Sequence, residues 1–73
     1  TITTRSDALP EPLSEREIEV LRLVTSGLSN REIAEKLFIS AGTAKTHIHH
    51  LCGKLGVRNR TEAAMKAKEL GLA

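Results

Sequence analysis

Lys45, Thr46 and His49 sit in the middle of the chain at a spacing that puts them on one side of a helix. At 100° per residue the three fall within about 100° of arc. Lysine can donate to guanine O6 and N7. Threonine offers a hydroxyl and a methyl, and the methyl can meet a thymine methyl. The imidazole of His49 can donate or accept. Gly42 and Gly53 share that side and remove bulk, which lets a helix lie close to the walls of a groove. A glycine in an exposed helix costs ~1 kcal/mol relative to alanine, so its presence there points to close approach by a partner. The other side of the same segment holds Ala44, Ile48, Leu51 and Leu55, a narrow apolar stripe that must face a core. These residue types suit contact with base edges in double-stranded DNA.

Two other chemistries can be weighed on the same helical projection. His47, His50 and Cys52 are close in sequence and of metal-ligand type. On the wheel Cys52 points well away from both histidines, which is poor geometry for three ligands. His47 then covers the edge of the core or reaches a phosphate, and Cys52 packs as a small buried thiol. No Cys-His or Ser-His arrangement is supported for catalysis, and no phosphate-cradling glycine loop appears. The expectation is therefore no enzyme, no catalytic residue, no metal and no cofactor.

The elements that would position these side chains are legible from their ends. Residues 1–12 read as a linker, polar and without periodicity, with Pro10 and Pro12. Residues 13–73 read as one domain. Ser14 and Glu17 form a capping box, flanked by Leu13 and Ile18 as a hydrophobic staple. Gly27 ends that helix, whose apolar stripe is expected to be Ile18, Leu21 and Val24, widened by Val20 and Leu23. Ser29 and Glu32 repeat the box, with Leu28 and Ile33 as staple. The turn Phe38-Ile39-Ser40 leads into a third helix, from about Ala41 to Leu55, that stops at Gly56. The fourth starts after Asn59, boxed with Glu62, and ends at Gly71. No stretch alternates like a half-buried strand. The fold class is all-α: four short helices in a compact bundle.

The 73 residues include one phenylalanine and no tryptophan or tyrosine, which argues against single-strand binding by base stacking. The single cysteine excludes a disulfide within the chain. No apolar run approaches the ~20 residues of a membrane span, so no membrane partner is expected and the location is read as cytoplasmic. A start at Thr1 rather than Met suggests a piece of a longer protein. Asp7, Glu11, Glu15, Glu17 and Glu19 face only Arg16 near the start, whereas residues 36–60 hold Lys36, Lys45, Lys54, Arg58 and Arg60 and no acid. A basic half suits a polyanion. Helix starts attract anions, which marks Ser29, Asn30, Arg31, Ser40 and Thr43 as phosphate candidates, with Arg58 and Arg60 as possible additions.

Leu28-Ser29-Asn30-Arg31-Glu32-Ile33-Ala34, Ile39-Ser40, Thr43-Ala44-Lys45-Thr46-His47 and Lys54-Leu55-Gly56-Val57 together resemble the LuxR-type helix-turn-helix family. Pro12-Leu13-Ser14-Glu15-Arg16-Glu17 matches its opening, so the resemblance covers residues 12 to 72. It implies a four-helix helix-turn-helix fold, winged-helix-like without the wing, and the DNA-binding effector domain of a bacterial transcriptional regulator, with helix 41–55 in the major groove. It carries base contacts to Lys45, Thr46 and His49, and phosphate contacts to Ser29, Asn30, Arg31, Thr43 and Lys54. It also implies a dimer contact on the fourth helix, here Thr61, Met65 and Lys68, with Ala63, Ala64, Ala67 and Leu70 inward. Met65 alone is apolar in that contact, so the expected homodimer is weak and forms mainly on DNA. Ala44 stands where the family usually has valine. The entry Pro-Glu-Pro-Leu, Gly-Lys-Leu-Gly-Val and the ending Glu-Leu-Gly-Leu are most similar to the MalT-like, ATP-dependent branch. Response regulators share the same module. RNA polymerase is a further possible partner, through the acidic first helix at Glu15 and Glu19. The alternative is a helix-turn-helix module acting mainly in protein–protein interaction, which should show apolar anchors on the outer face of the third helix.

Overall fold

Each helix begins where a short polar side chain can close the free amides of the first turn. In the computed structural model, which describes residues 13–72, Ser14 Oγ accepts from Glu17 N at 3.1 Å and Glu17 Oε1 accepts from Ser14 N at 2.9 Å. That box opens α1, Glu15–Thr25. Ser29 and Glu32 repeat it at 3.1 and 2.8 Å to open α2, Asn30–Leu37. Ser40 opens α3, Ala41–Leu55, by accepting from Thr43 N at 3.0 Å. Asn59 opens α4, Arg60–Leu70, by accepting from Glu62 N at 2.9 Å. This last box is only half built: Glu62 Oε1 accepts from Arg58 N at 2.9 Å instead of from the Asn59 amide. The linker read over 1–12 lies outside the described residues, as does Ala73.

All four helices end alike. The amide two places past the last helical turn reaches back across a left-handed residue, as in Leu28 N to Leu23 O at 3.2 Å and Val57 N to Cys52 O at 3.0 Å. Gly27, Gly56 and Gly71 supply the left-handed residue at three ends. At the end of α2 the residue is Phe38, at φ 57° and 95% exposed.

Among the described residues there are four helices and no strand. α1 lies against α4 and α3, while α2 and α4 each lie against α3. The core draws Val20, Leu21 and Val24 from α1, Ile33 and Ala34 from α2, and Ala44, Leu51, Cys52 and Leu55 from α3. Ala63 and Ala67 join from α4, with Leu13 and Leu72 closing the two ends. The buried side of α1 is rotated from the expected stripe. Val20 and Leu21 lie at its centre, whereas Ile18 and Leu23 are only half-buried, and Glu17 is buried with them. The cause is that α1 is wedged between two helices, and its carboxylate has a partner on one of them.

Candidate nucleic-acid interface

The apolar side of α3 is spent on the core: Ala44 and Leu51 are fully covered and Leu55 nearly so. This fixes the rotation of the helix about its axis. Lys45, Thr46 and His49 consequently project outward together, all exposed. Gly42 and Gly53 are exposed on the same side, and a methyl added to Gly53 would meet nothing of this chain. The fold therefore has no steric need for glycine there. α3 carries no carboxylate along its whole length.

The polar groups of this face differ in what remains available. Thr46 Oγ1 donates to Gly42 O at 3.0 Å, so its proton is committed and the side chain presents a methyl and acceptor lone pairs. Ser40 Oγ donates to Thr43 Oγ1 at 2.9 Å, which leaves the Thr43 hydroxyl proton able to point outward. His49 stands beside His50, ring centroids 6.2 Å apart at 51°. His47 is half-buried.

The second set of groups lies at the start of α2. Ser29 and Arg31 are exposed and Asn30 is half-buried. Glu32 N is closed by Ser29 Oγ, so the amides of Asn30 and Arg31 are those the cap leaves unspent in the first turn. Asn30 Oδ1 accepts from Arg60 Nη1 at 2.8 Å. Arg60 Nη2 donates to the carbonyl of Leu28. Arg60, a possible phosphate ligand by its charge, is thus turned onto the chain itself. No feature of its local sequence signals this, because its partners lie about thirty residues away in the chain.

Lys54 is also engaged. Its Nζ donates to Glu17 Oε1 at 2.7 Å, the same oxygen that caps α1. Burial pushes the Glu17 carboxyl up, but the hydrogen bond from Lys54, the Ser14 amide and the charge of Lys54 outweigh it, so it is held below the ordinary glutamate value. The pair ties α1 to the last turn of α3. Cys52 lies in the core, where burial raises its thiol above the usual range despite Arg60. Among the described residues no group of three or more His, Cys, Asp or Glu side chains is placed to hold a metal ion. Thr61, Met65 and Lys68 are exposed along α4, with Met65 at 59%. Of the four residues expected to face inward, Ala63 and Ala67 are buried, whereas Ala64 and Leu70 are only half-buried.

Residues 11–67 match the family model described as bacterial regulatory proteins, luxR family. The chain belongs to this family. It is 44% identical over 69 residues to the uncharacterized transcriptional regulatory protein YxjL of Bacillus subtilis (strain 168), a match covering 94% of this chain and 32% of that protein. It is 51% identical over 59 residues to the HTH-type transcriptional regulator MalT of Serratia proteamaculans (strain 568), covering 81% of this chain and 6% of that one. The solved structure of the transcription factor GerE superposes with a TM-score of 0.76 at 35% identity, over 82% of this chain and 90% of that chain. The chain thus spans about a third or less of these curated relatives, and the same module occurs in proteins of very different length. The four helices form the DNA-binding helix-turn-helix domain of the luxR family of bacterial regulatory proteins. Among the described residues no helix is long and apolar enough to cross a membrane.

Proposed function

We propose that this luxR-family domain reads sequence by laying α3 in the major groove, with Lys45, Thr46 and His49 on base edges. The observation that carries the reading is the outward face of α3: three polar side chains and two glycines, all exposed, with no carboxylate on the helix. Lys45 supplies donors for a guanine edge. Thr46, its own proton spent on Gly42, supplies a methyl for thymine and an acceptor for a cytosine or adenine amino group. Ser29, Asn30, Arg31 and Thr43 contact phosphates from the starts of α2 and α3, where helix dipoles favour anions. Lys54, held by Glu17, adds positive potential from the far end of α3. Two copies pair weakly through Thr61, Met65 and Lys68 and are aligned by half-sites about one helical turn apart. Glu15 and Glu19, exposed on α1, are offered as the contact with RNA polymerase in the cytoplasm, although Glu19 is already paired with Arg16 at 3.4 Å. A module devoted to protein contacts is disfavoured, because among the described residues the large exposed apolar side chains, Phe38 and Met65, belong to the turn after α2 and to α4 and none belongs to α3.

The test is Lys45→Ala on duplexes selected from a random library, read by fluorescence anisotropy beside scrambled controls. Affinity for the selected duplex falls by about 1–3 kcal/mol and base preference relaxes at one position. An equal loss on scrambled DNA would make Lys45 a phosphate ligand and remove the base-reading role.

A further inference from the structure

α2 is the helix that presents most of the proposed phosphate donors, yet it packs mainly on α3 and makes little direct contact with α4. Its start is instead tied to α4 by one side chain. Arg60, the first residue of α4, sends Nη1 to Asn30 Oδ1 at 2.8 Å and Nη2 to the Leu28 carbonyl. A guanidinium has donors and no acceptor. The Asn30 atom facing it must therefore be the carbonyl oxygen, which removes the usual ambiguity between the two ends of an amide side chain. Nδ2, with two N–H donors, is turned the other way. It makes no hydrogen bond to any described residue. The Asn30 and Arg31 amides stand at the same helix end, and Arg31 is exposed there.

We propose that Arg60 is the positioning residue of the α2 phosphate grip: by holding Asn30 Oδ1 it aims the Nδ2 donors outward at a DNA phosphate. The arginine itself touches no phosphate. It orients the amide, and it fixes the backbone just before the Ser29 cap through Leu28. A freely rotating asparagine would present its oxygen to the phosphate part of the time, which is repulsive. The locked one presents donors only. This inference rests on the reading of Asn30 as a phosphate contact, and the experiment separates the two.

The probe is a fluorescein-labelled mixed-sequence duplex of about 20 bp, titrated at several KCl concentrations, so that no operator is needed and phosphate contacts dominate. Each variant is melted by far-UV circular dichroism and assayed where it is folded. Asn30→Asp keeps the acceptor for Arg60 but replaces the donors with charge, so the melting point is held or raised while affinity falls about tenfold or more. Asn30→Ala weakens binding about five- to tenfold. Arg60→Gln weakens it about threefold or more in the wild-type background but less than about twofold in the Asn30→Ala background, since the two act as one unit. Its slope of log affinity against log salt stays within about half a unit of wild type. An Arg60→Gln loss that persists undiminished in the Asn30→Ala background, or a slope reduced by about 0.9, overturns the proposal in favour of a general structural role or a direct phosphate contact. Wild-type affinity for both Asn30 variants would remove the phosphate reading itself. Weak Asn30 variants beside an unaffected Arg60→Gln would remove only the positioning. If Arg60→Gln is too unstable, Arg60→Lys carries the same cycle, keeping the charge but losing the two-pronged hold.

Discussion

Replacing Phe38 by glycine should make the domain more stable, against the usual expectation for deleting its one aromatic side chain. Four helices end on the same left-handed turn, and three use glycine, at φ 90°, 73° and 71°. Phe38 occupies the fourth at φ 57° and ψ 45°. An L-residue in that region costs about 1–2 kcal/mol through the clash of Cβ with the following carbonyl. Glycine removes the clash but gives back about 0.5–1 kcal/mol as extra freedom in the unfolded chain. The usual further cost, lost packing, is nearly absent because Phe38 is 95% exposed. The net lies between about 0 and 1.5 kcal/mol, centred on a gain of about 0.75 kcal/mol, or a rise in melting temperature of about 3–6 °C for a domain of this size. Far-UV circular dichroism melts of wild type, Phe38→Gly and Phe38→Ala provide the measurement. Alanine removes the ring but keeps Cβ, so it should gain little or nothing. A fall in melting temperature for Phe38→Gly, or equal gains for the two variants, would refute the reasoning: the first would mean that the ring contributes stability, the second that backbone strain is not what it costs.

Three further outcomes follow from the packing and the charges. Glu17→Gln should cost about 1–2 kcal/mol at neutral pH, allowing for the partial exposure of Lys54. Because the Glu17 carboxyl is held below its ordinary value of 4.5, its contribution is complete above that pH and is lost as pH falls through the lower native value. Urea unfolding from pH 7 to 2.5 should therefore show the wild-type and variant curves converging in acid, and parallel curves would contradict the pairing. Arg31→Ala should weaken binding to every duplex alike and reduce the salt slope by about 0.9; a changed ranking among sequences would contradict a phosphate role. Leu51→Ala, at a fully buried position, should cost about 2–5 kcal/mol. A loss below 1 kcal/mol by urea titration would place that residue outside the core.

The helix ends and the outward face of α3 could be read from residue order because the forces that set them are local. Ser14 with Glu17, Ser29 with Glu32, Ser40 with Thr43 and Asn59 with Glu62 each act within one turn. The stripe of Ala44, Leu51 and Leu55 has one way to be buried, and burying it exposes Lys45, Thr46 and His49. Family motifs added which of these residues to watch. Long-range pairing was not available in the same way. Glu17 could be recognised as a cap, but its burial against Lys54, 37 residues on, depended on how α1 wedges between α3 and α4. That contact rotated the buried side of α1 away from the stripe its apolar residues imply. Arg60 looked like a cation near a helix start, and only the approach of α4 to the α1–α2 turn gave it Asn30 and Leu28 as partners. The division has a physical basis. Caps and stripes are settled by neighbours three or four residues apart, whereas a charged side chain takes its role from whatever the folded chain brings within 3 Å of it.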